Sequence, residues 1–366
     1  MKKFKVIISG GGTGGHIFPA LAIAKAMKKQ ISSIEFLFVG AYDRMEMEKV
    51  PSHGYKIVGL WISGLQRHLD RKNLLFPVKL LHSIYKAKRI IKNFKPDLAI
   101  GTGGYASAPV LYVAAKRGIP SLIQEQNSYP GLTNKILARY VNKICVSYDK
   151  MDKFFPSDKV LFTGNPIRDD ILDLEDKKSQ AQKLFNIDTS KPTVLVVGGS
   201  LGALTINIAI GENIEKLNDI GMNLIWQTGD SYYDKAQKFI ANFNTKGINA
   251  YAFLTDMDKA YAAADVIVSR AGAIAISELC CVGKPIILVP SPNVTENHQY
   301  KNAQSLVNKN AALLVEDVNA NCKLVETIAQ LLKNEELQAC LSSNIKKLEI
   351  TDAADRIVKI ALDLVK

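Results

Sequence analysis

A chain of 366 residues, 47% of them hydrophobic and 22% charged, is too long for one ordinary domain and too apolar to be disordered. No apolar run approaches the roughly 20 residues that span a bilayer. The basic start MKKFKVIISGGG runs into glycines after about five apolar residues, so it reads as a first strand and not as a signal peptide. The net charge of +12 is unevenly placed: residues 1–166 hold 26 Lys+Arg against 10 Asp+Glu, and residues 167–366 hold 21 against 25. A basic half beside a mildly acidic half predicts one domain that faces an anionic surface. The five cysteines (Cys145, Cys280, Cys281, Cys322, Cys340) are odd in number and lack metal spacing, and they read as buried thiols of a reducing cytoplasm.

Taken in order, Lys5–Ser9 is a strand, residues 10–16 (GGGTGGH) are a turn, and Pro19–Lys29 is a helix with apolar residues at helical spacing. The turn fits G-x-G-x-x-G, yet the next strand, Ile34–Val39, ends in Gly40 and not in the acid that a dinucleotide ribose needs, so NAD binding is not expected. The glycines instead let backbone approach another bulky polar ligand, and His16 is the one titratable side chain there, a base, a donor or a brace of the turn. Tyr55–Gly64 is strand-like. From Arg67 to Lys95 nine basic residues meet one acid, with leucines and aromatics interleaved. That pattern suits a helix lying on anionic lipid or an ordinary amphipathic helix with its apolar face in the core; the membrane contact is expected over Trp61–Phe76 and the helix start after it. No nucleic-acid module accompanies the patch, so nucleic acid is not the expected partner.

A strand at Pro96–Ile100 leads to a second glycine turn, Gly101–Tyr105, and to the helix Ala108–Arg117; Pro120–Gln124 is a strand ending in Glu125-Gln126-Asn127. Short strands at Lys143–Ser147 and Val160–Thr163 complete an alternation that implies a parallel, doubly wound α/β sheet with ligands at the C-terminal strand ends. The tips His16, Thr102, Glu125 and Asn127 are then expected at one edge. After a charged connector at 169–178 the pattern restarts: strand Thr193–Val197, turn Gly198–Ala203, strands Asn223–Gln227 and Ala250–Phe253, helix Met257–Ala264. The chain centres on Ser269–Pro290, where a strand feeds a helix through Arg270-Ala271-Gly272 and Gly283-Lys284-Pro285 closes it. Such a helix start aims backbone N–H groups and the positive end of the dipole at one point, which suits a diphosphate, and Glu278 could then accept both hydroxyls of a ribose. Asp256-Met257-Asp258 reads as an N-cap and not as a metal pair. Two α/β domains are expected, 1–164 and 165–344, with a cleft lined by glycine turns between them and a last helix within 345–366 returning to the first.

These stretches carry a resemblance. GGTGGHIFPALA at 11–22, GTGGYASAP at 101–109, EQNSYPGLTNK at 125–135, GNPIR at 164–168, VVGGSLGA at 196–203, RAGAIAISE at 270–278 and HQYKNA at 298–303 resemble, in order, the motifs of the MurG family of GT-B glycosyltransferases, family 28. That family moves N-acetylglucosamine from UDP-N-acetylglucosamine onto undecaprenyl-diphospho-N-acetylmuramoyl-pentapeptide, lipid I, to make lipid II of peptidoglycan. The resemblance implies the two-domain GT-B fold and a peripheral position on the cytoplasmic face of the bacterial cell membrane, with no cofactor and no metal. It implies that Arg168 and the backbone of Leu254 hold uracil, that Ser200, Ala273 and Ile274 face the diphosphate, that Glu278 binds the ribose and that Gln299 binds sugar hydroxyls. Thr13, Gly14, Gly15 and Asn127 would border the transferred sugar, and Gly12, Gly103, Gly104 and Tyr105 would cradle the acceptor's diphosphate. Ala275 departs from the family, which often has Thr there, so a hydroxyl donor to phosphate is missing.

The expected chemistry is displacement at the anomeric carbon with inversion, the leaving UDP stabilised by helix-start and glycine-turn amides. His16 is the candidate base and Glu125 the alternative. A GT-B enzyme glycosylating another lipid, a UDP-sugar epimerase, and a non-catalytic basic membrane adaptor are the competing readings.

Overall fold

The computed structural model describes residues 3–64, 75–243, 247–294 and 297–366. They form two compact units, one running to Ile167 and joined by Asp352–Lys366, the other covering Arg168–Thr351. In the first unit the strands are β1 (Phe4–Gly10), β2 (Ile34–Ala41), β3 (Lys56–Leu60), β4 (Leu98–Gly103), β5 (Ser121–Glu125), β6 (Lys143–Val146) and β7 (Val160–Phe162). They pair in parallel in the order β3-β2-β1-β4-β5-β6-β7. Helices α1 (Gly14–Gln30), α2 (Glu46–Ser52), α3 (Phe76–Phe94), α4 (Ser107–Lys116) and α5 (Leu132–Leu137) connect them.

A parallel sheet is covered on both faces, which is why its strands read as unbroken apolar runs. On β1, Val6 and Ile8 enter one core with Ile23, Ala24 and Met27 of α1, while Ile7 between them enters the opposite core with Val110 and Leu111 of α4. The chain order reverses between β1 and β4, so this is the switch point where doubly wound sheets take ligands. Both glycine turns of the first unit leave from these two strands.

In the second unit α6 (Lys178–Leu184) precedes β8 (Thr193–Val197), α7 (Leu204–Gly211), α8 (Ile214–Ile220), β9 (Asn223–Gln227), α9 (Asp230–Phe243), β10 (Ile248–Tyr251) and α10 (Met257–Ala263). Then come β11 (Val266–Ser269), α11 (Ala273–Val282), β12 (Ile286–Leu288), α12 (His298–Val307), β13 (Leu313–Leu314), α13 (Ala320–Leu332) and α14 (Glu335–Lys346). The parallel order β10-β9-β8-β11-β12-β13 puts the switch point between β8 and β11, again the two strands that end in glycine turns. The final helix, α15 (Ala353–Asp363), belongs to the first unit: Ile357, Val358 and Ala361 are fully buried in the core that holds α1. Truncating a side chain such as Ile357 there should cost about 2–5 kcal/mol.

Two local expectations are corrected, the start of α1 and the cysteines, and two are refined, Asp256 and α3. Helix α1 starts at Gly14, not Pro19: Thr13 is extended and its carbonyl accepts from the N–H groups of His16 (3.1 Å) and Ile17 (3.3 Å), so the helix is nucleated within the glycine turn. His16 therefore sits in the first helical turn. Asp256 occupies the N-cap position of α10, but its side chain makes no cap bond; it accepts from Thr255 and from Lys259, at 2.7 Å, and that ammonium holds the carboxyl below its ordinary range. Cys322 and Cys340 are exposed, so only Cys145, Cys280 and Cys281 are buried thiols, and burial pushes Cys145 and Cys280 up to about 12. Finally, α3 is apolar on two sides. Ser83, Ala87 and Ile91 face the core, whereas Leu75, just before it, and Val78, Leu81 and Tyr85 are exposed. Among the described residues no helix is long and apolar enough to cross a membrane. The expected lipid contact over 61–76 falls largely on 65–74, which lie outside the described residues.

Candidate active site

In the first unit the two glycine turns interlock. A side chain on Gly104 would put its Cβ 2.2 Å from the carbonyl oxygen of Gly11, and one on Gly103 would lie 2.8 Å from the His16 ring. Both glycines have positive φ, so the close approach and the backbone conformation demand the same residue. The Tyr105 hydroxyl stands over Gly12, and the Thr102 hydroxyl donates to the His16 carbonyl at 2.8 Å. Nδ1 of His16 lies 2.9 Å from the carbonyl oxygen of Gly11. A carbonyl can only accept, so Nδ1 carries a proton, and in the neutral ring Nε2 then holds the lone pair that a general base needs. Thr13, Gly14 and Gly15 line the same turn, with Thr13 and Gly15 exposed.

Glu125, at the tip of β5, is 2% exposed and its carboxylate is saturated. One oxygen accepts from the Asn127 N–H (3.0 Å) and Nδ2 (3.3 Å), the other from the Gly131 N–H (3.1 Å) and Asn134 Nδ2 (2.8 Å). Burial raises its pKa and these four donors oppose the rise. A carboxylate so engaged fixes the loop that presents Asn127, and this geometry speaks against its use as the base. The Gly12 N–H donates to Glu46 Oε2 at 3.0 Å, so this amide is engaged within the turn. Gly103, Gly104 and Tyr105 flank the turn.

In the second unit Gly272 is extended and starts α11, so the N–H groups of Ile274 and Ala275 run off the helix start beside the turn at Gly198–Ala203. Gly283, with φ 71°, ends that helix through a bond from its N–H to the Leu279 carbonyl. Ser200 is exposed in the turn. The turn is pinned by Gln227 at the tip of β9: Nε2 donates to the Gly199 carbonyl at 2.9 Å, and Oε1 accepts the Leu254 N–H at 3.1 Å. The Leu254 N–H is therefore engaged within the second unit. Glu278 accepts from the Tyr261 hydroxyl at 3.2 Å, and the Arg168 Nε lies 3.3 Å from its other oxygen as an ion pair without hydrogen-bond alignment. Burial raises the Glu278 pKa, with Arg168 and Tyr261 opposing; burial likewise drives the Tyr261 phenol well above its ordinary range. Gln299 is held by its Oε1, which accepts the Ser291 N–H at 2.9 Å, leaving Nε2 as the amide's donor end.

The glycosyltransferase family 28 N-terminal domain matches residues 6–146 and the family 28 C-terminal domain residues 193–357. The chain belongs to glycosyltransferase family 28. Over 364 residues it is 52% identical to the UDP-N-acetylglucosamine–N-acetylmuramyl-(pentapeptide) pyrophosphoryl-undecaprenol N-acetylglucosamine transferase of Cytophaga hutchinsonii, covering 100% of this chain and 98% of that one. The protein of the same description from Parabacteroides distasonis is 51% identical over 98% of this chain and 97% of its own. Among solved structures, Acinetobacter baumannii MurG matches with a TM-score of 0.79 and 28% identity over 99% of this chain and 100% of that one, which makes the fold GT-B. A UDP-GlcNAc 2-epimerase from Neisseria meningitidis, solved with UDP-GlcNAc, shares the fold alone at 16% identity and a TM-score of 0.67, covering 99% of this chain and 100% of that one. The family assignment makes this chain a glycosyltransferase and disfavours the epimerase and adaptor readings.

Three residues that shape the site were not singled out in the sequence: Glu46, Gln227 and Tyr261. Gln227 had a signal, a polar residue at the end of the apolar run NLIWQ. Glu46 had none: a Cβ on Gly40 would lie 2.4 Å from Glu46 Cγ, but that packing shows only in the structure.

Proposed function

We propose that this glycosyltransferase moves N-acetylglucosamine from UDP-N-acetylglucosamine to the muramoyl 4-hydroxyl of undecaprenyl-diphospho-N-acetylmuramoyl-pentapeptide, with inversion at the anomeric carbon. What carries the reading is that both sheets end in glycine turns at their switch points, each with its own chemistry: His16 Nε2 on one, a helix start backed by Glu278 on the other. In this reading the acceptor hydroxyl gives its proton to Nε2 as its oxygen bonds the anomeric carbon, and the bond to UDP breaks. Charge developing on the diphosphate meets the Ile274 and Ala275 amides, the Ser200 turn and Ala273. The Arg168 guanidinium and the Leu254 carbonyl serve uracil. Glu278 keeps a lone pair on each oxygen for the ribose hydroxyls. Gln299 donates to the sugar, and Thr13, Gly14, Gly15 and Asn127 border it. Gly103, Gly104 and Tyr105 are the proposed contacts of the acceptor diphosphate, without the Gly12 amide.

The acceptor's lipid calls for a surface site. The exposed Trp61, Leu75, Val78, Leu81 and Tyr85, with Lys79, Lys88 and Arg89 among them, form an apolar strip with a basic rim that suits the cytoplasmic face of an anionic bacterial membrane. The direct test is incubation with labelled UDP-N-acetylglucosamine and lipid I. Label is expected in the lipid fraction with stoichiometric UDP, and His16→Ala should lower kcat by at least about 100-fold. Epimerised UDP-sugar formed without lipid would overturn the reading.

A further inference from the structure

Glu46 is a carboxylate with no exposed surface, held at the start of α2 and turned back under the first glycine turn. Its Oε1 accepts the Ala41 N–H at 2.9 Å, which anchors it to the end of β2, and its Oε2 accepts the Gly12 N–H at 3.0 Å. The packing admits nothing else: a Cβ on Gly11 would lie 2.1 Å from Oε1. The Gly12 N–H belongs to the same peptide group as the Gly11 carbonyl, and that carbonyl is the group 2.9 Å from His16 Nδ1. Carboxylate, peptide and imidazole thus lie in one hydrogen-bonded line. An acceptor bonded to one end of an amide polarises it and strengthens the carbonyl at the other end.

We propose that Glu46 is a positioning residue for His16, acting through the Gly11–Gly12 peptide as a buried acid acts directly on the histidine of a hydrolase triad. The inference rests on the reading of His16 as base. The line does two things. It fixes the tautomer, because a carbonyl held in this orientation requires Nδ1–H and so puts the lone pair on Nε2. It also stabilises the imidazolium that forms when Nε2 takes the acceptor's proton, since Nδ1–H then donates to a carbonyl polarised by a carboxylate. The titratable groups facing this peptide are Glu46 from α2 and the Tyr105 phenol from the turn after β4, with Thr13 Oγ1 3.4 Å from Nδ1 on the same turn. The glycines at 11, 40, 103 and 104 follow from the arrangement: each removes a Cβ that would strike the acid, the peptide or the ring.

The test reads the imidazole itself. In the intact wild-type enzyme, nitrogen NMR of labelled histidine should find His16 as the Nδ1–H tautomer. In Glu46→Gln the midpoint of its titration should fall by at least about half a pH unit, and kcat should fall about tenfold with KM for UDP-N-acetylglucosamine within about twofold. An Nε2–H tautomer in the wild type, which needs no variant to fold, overturns the relay. So does an unchanged midpoint in a folded Glu46→Gln enzyme, even with reduced kcat, because that pattern is lost support for the turn and nothing more. Full kcat in His16→Ala would instead sink the base assignment while leaving tautomer and midpoint as described, so the two failures are told apart.

Discussion

The two switch points are built alike and wired oppositely. Under the first-unit turn sits an acid, Glu46, which accepts from a peptide N–H and so strengthens the carbonyl on its far side, the one bonded to His16. Under the second-unit turn sits a neutral amide, Gln227, which donates to the Gly199 carbonyl and so strengthens the N–H on the far side, that of Ser200. One turn presents an acceptor to an imidazole and has an acid beneath it, which leaves the acceptor diphosphate to Gly103, Gly104 and Tyr105 beside it. The other presents donors and carries no charge beneath it. Glycine-rich sequence therefore does not by itself mean a phosphate cradle; the side chain that pins the turn from below decides what the turn can bind.

The comparison breaks most severely where a turn loses its shape. Gly202 has φ 76°, and a Cβ there would lie 1.9 Å from the Thr228 carbonyl oxygen, a backbone atom that cannot swing away. Gly202→Ala should cost about 1–2 kcal/mol for the left-handed backbone alone, before the clash is relieved, and should abolish measurable UDP-N-acetylglucosamine binding. Thermal unfolding and calorimetry read the two effects separately. A smaller change tests the wiring itself. Gln227→Glu keeps the shape but sets a carboxylate oxygen against the Gly199 carbonyl and a negative charge beside the diphosphate amides. Donor Kd should rise at least about tenfold, or about 1.4 kcal/mol. An unchanged Kd would mean that the turn is positioned by its glycines and that Gln227 is incidental.

The strands, the two repeated α/β halves and the glycine turns were legible because each is a local pattern: an apolar run of five, a turn residue, a helical spacing. What the sequence hid is what reaches across the chain. Glu46 lies 34 residues from the amide it accepts, and in DRMEMEKVP it looks like any acid opening a helix. Tyr261 is separated by 17 residues from Glu278, and in DKAYAAAD it looks like a core aromatic. Glu125 was legible as important and open in role, because a strand tip is where both bases and braces sit; its four donors lie close in sequence but depend on how the loop after it folds back, which only coordinates show. The start of α1 was misplaced for a different reason: glycines suppress helical propensity, but the extended Thr13 offers a carbonyl that nucleates the helix regardless.

The gentlest test of the second turn uses pH. Burial raises the Glu278 pKa above its ordinary value, so on acidification this carboxylate takes a proton earlier than a solvated glutamate would. Two consequences have opposite signs. The folded state binds that proton more tightly than the unfolded chain, so between the two pKa values stability through this group falls as pH rises and recovers as pH falls. Donor affinity does the reverse, because a protonated Glu278 loses acceptor capacity for the ribose hydroxyls and its attraction for Arg168. The probe should be UDP-N-acetylglucosamine, whose diphosphate has no proton to gain in this range, unlike free UDP. Its Kd, measured by calorimetry from pH 8 to pH 5, should rise about two- to fivefold in the wild type with the midpoint above that of an ordinary carboxylate near 4.3. In Glu278→Gln, Kd should be higher throughout and flat over the same range. A sloping profile that survives in Glu278→Gln would place the titrating group elsewhere, such as Glu125 under the Asn127 loop, whose pKa burial also raises, and would remove the ribose contact from the donor site.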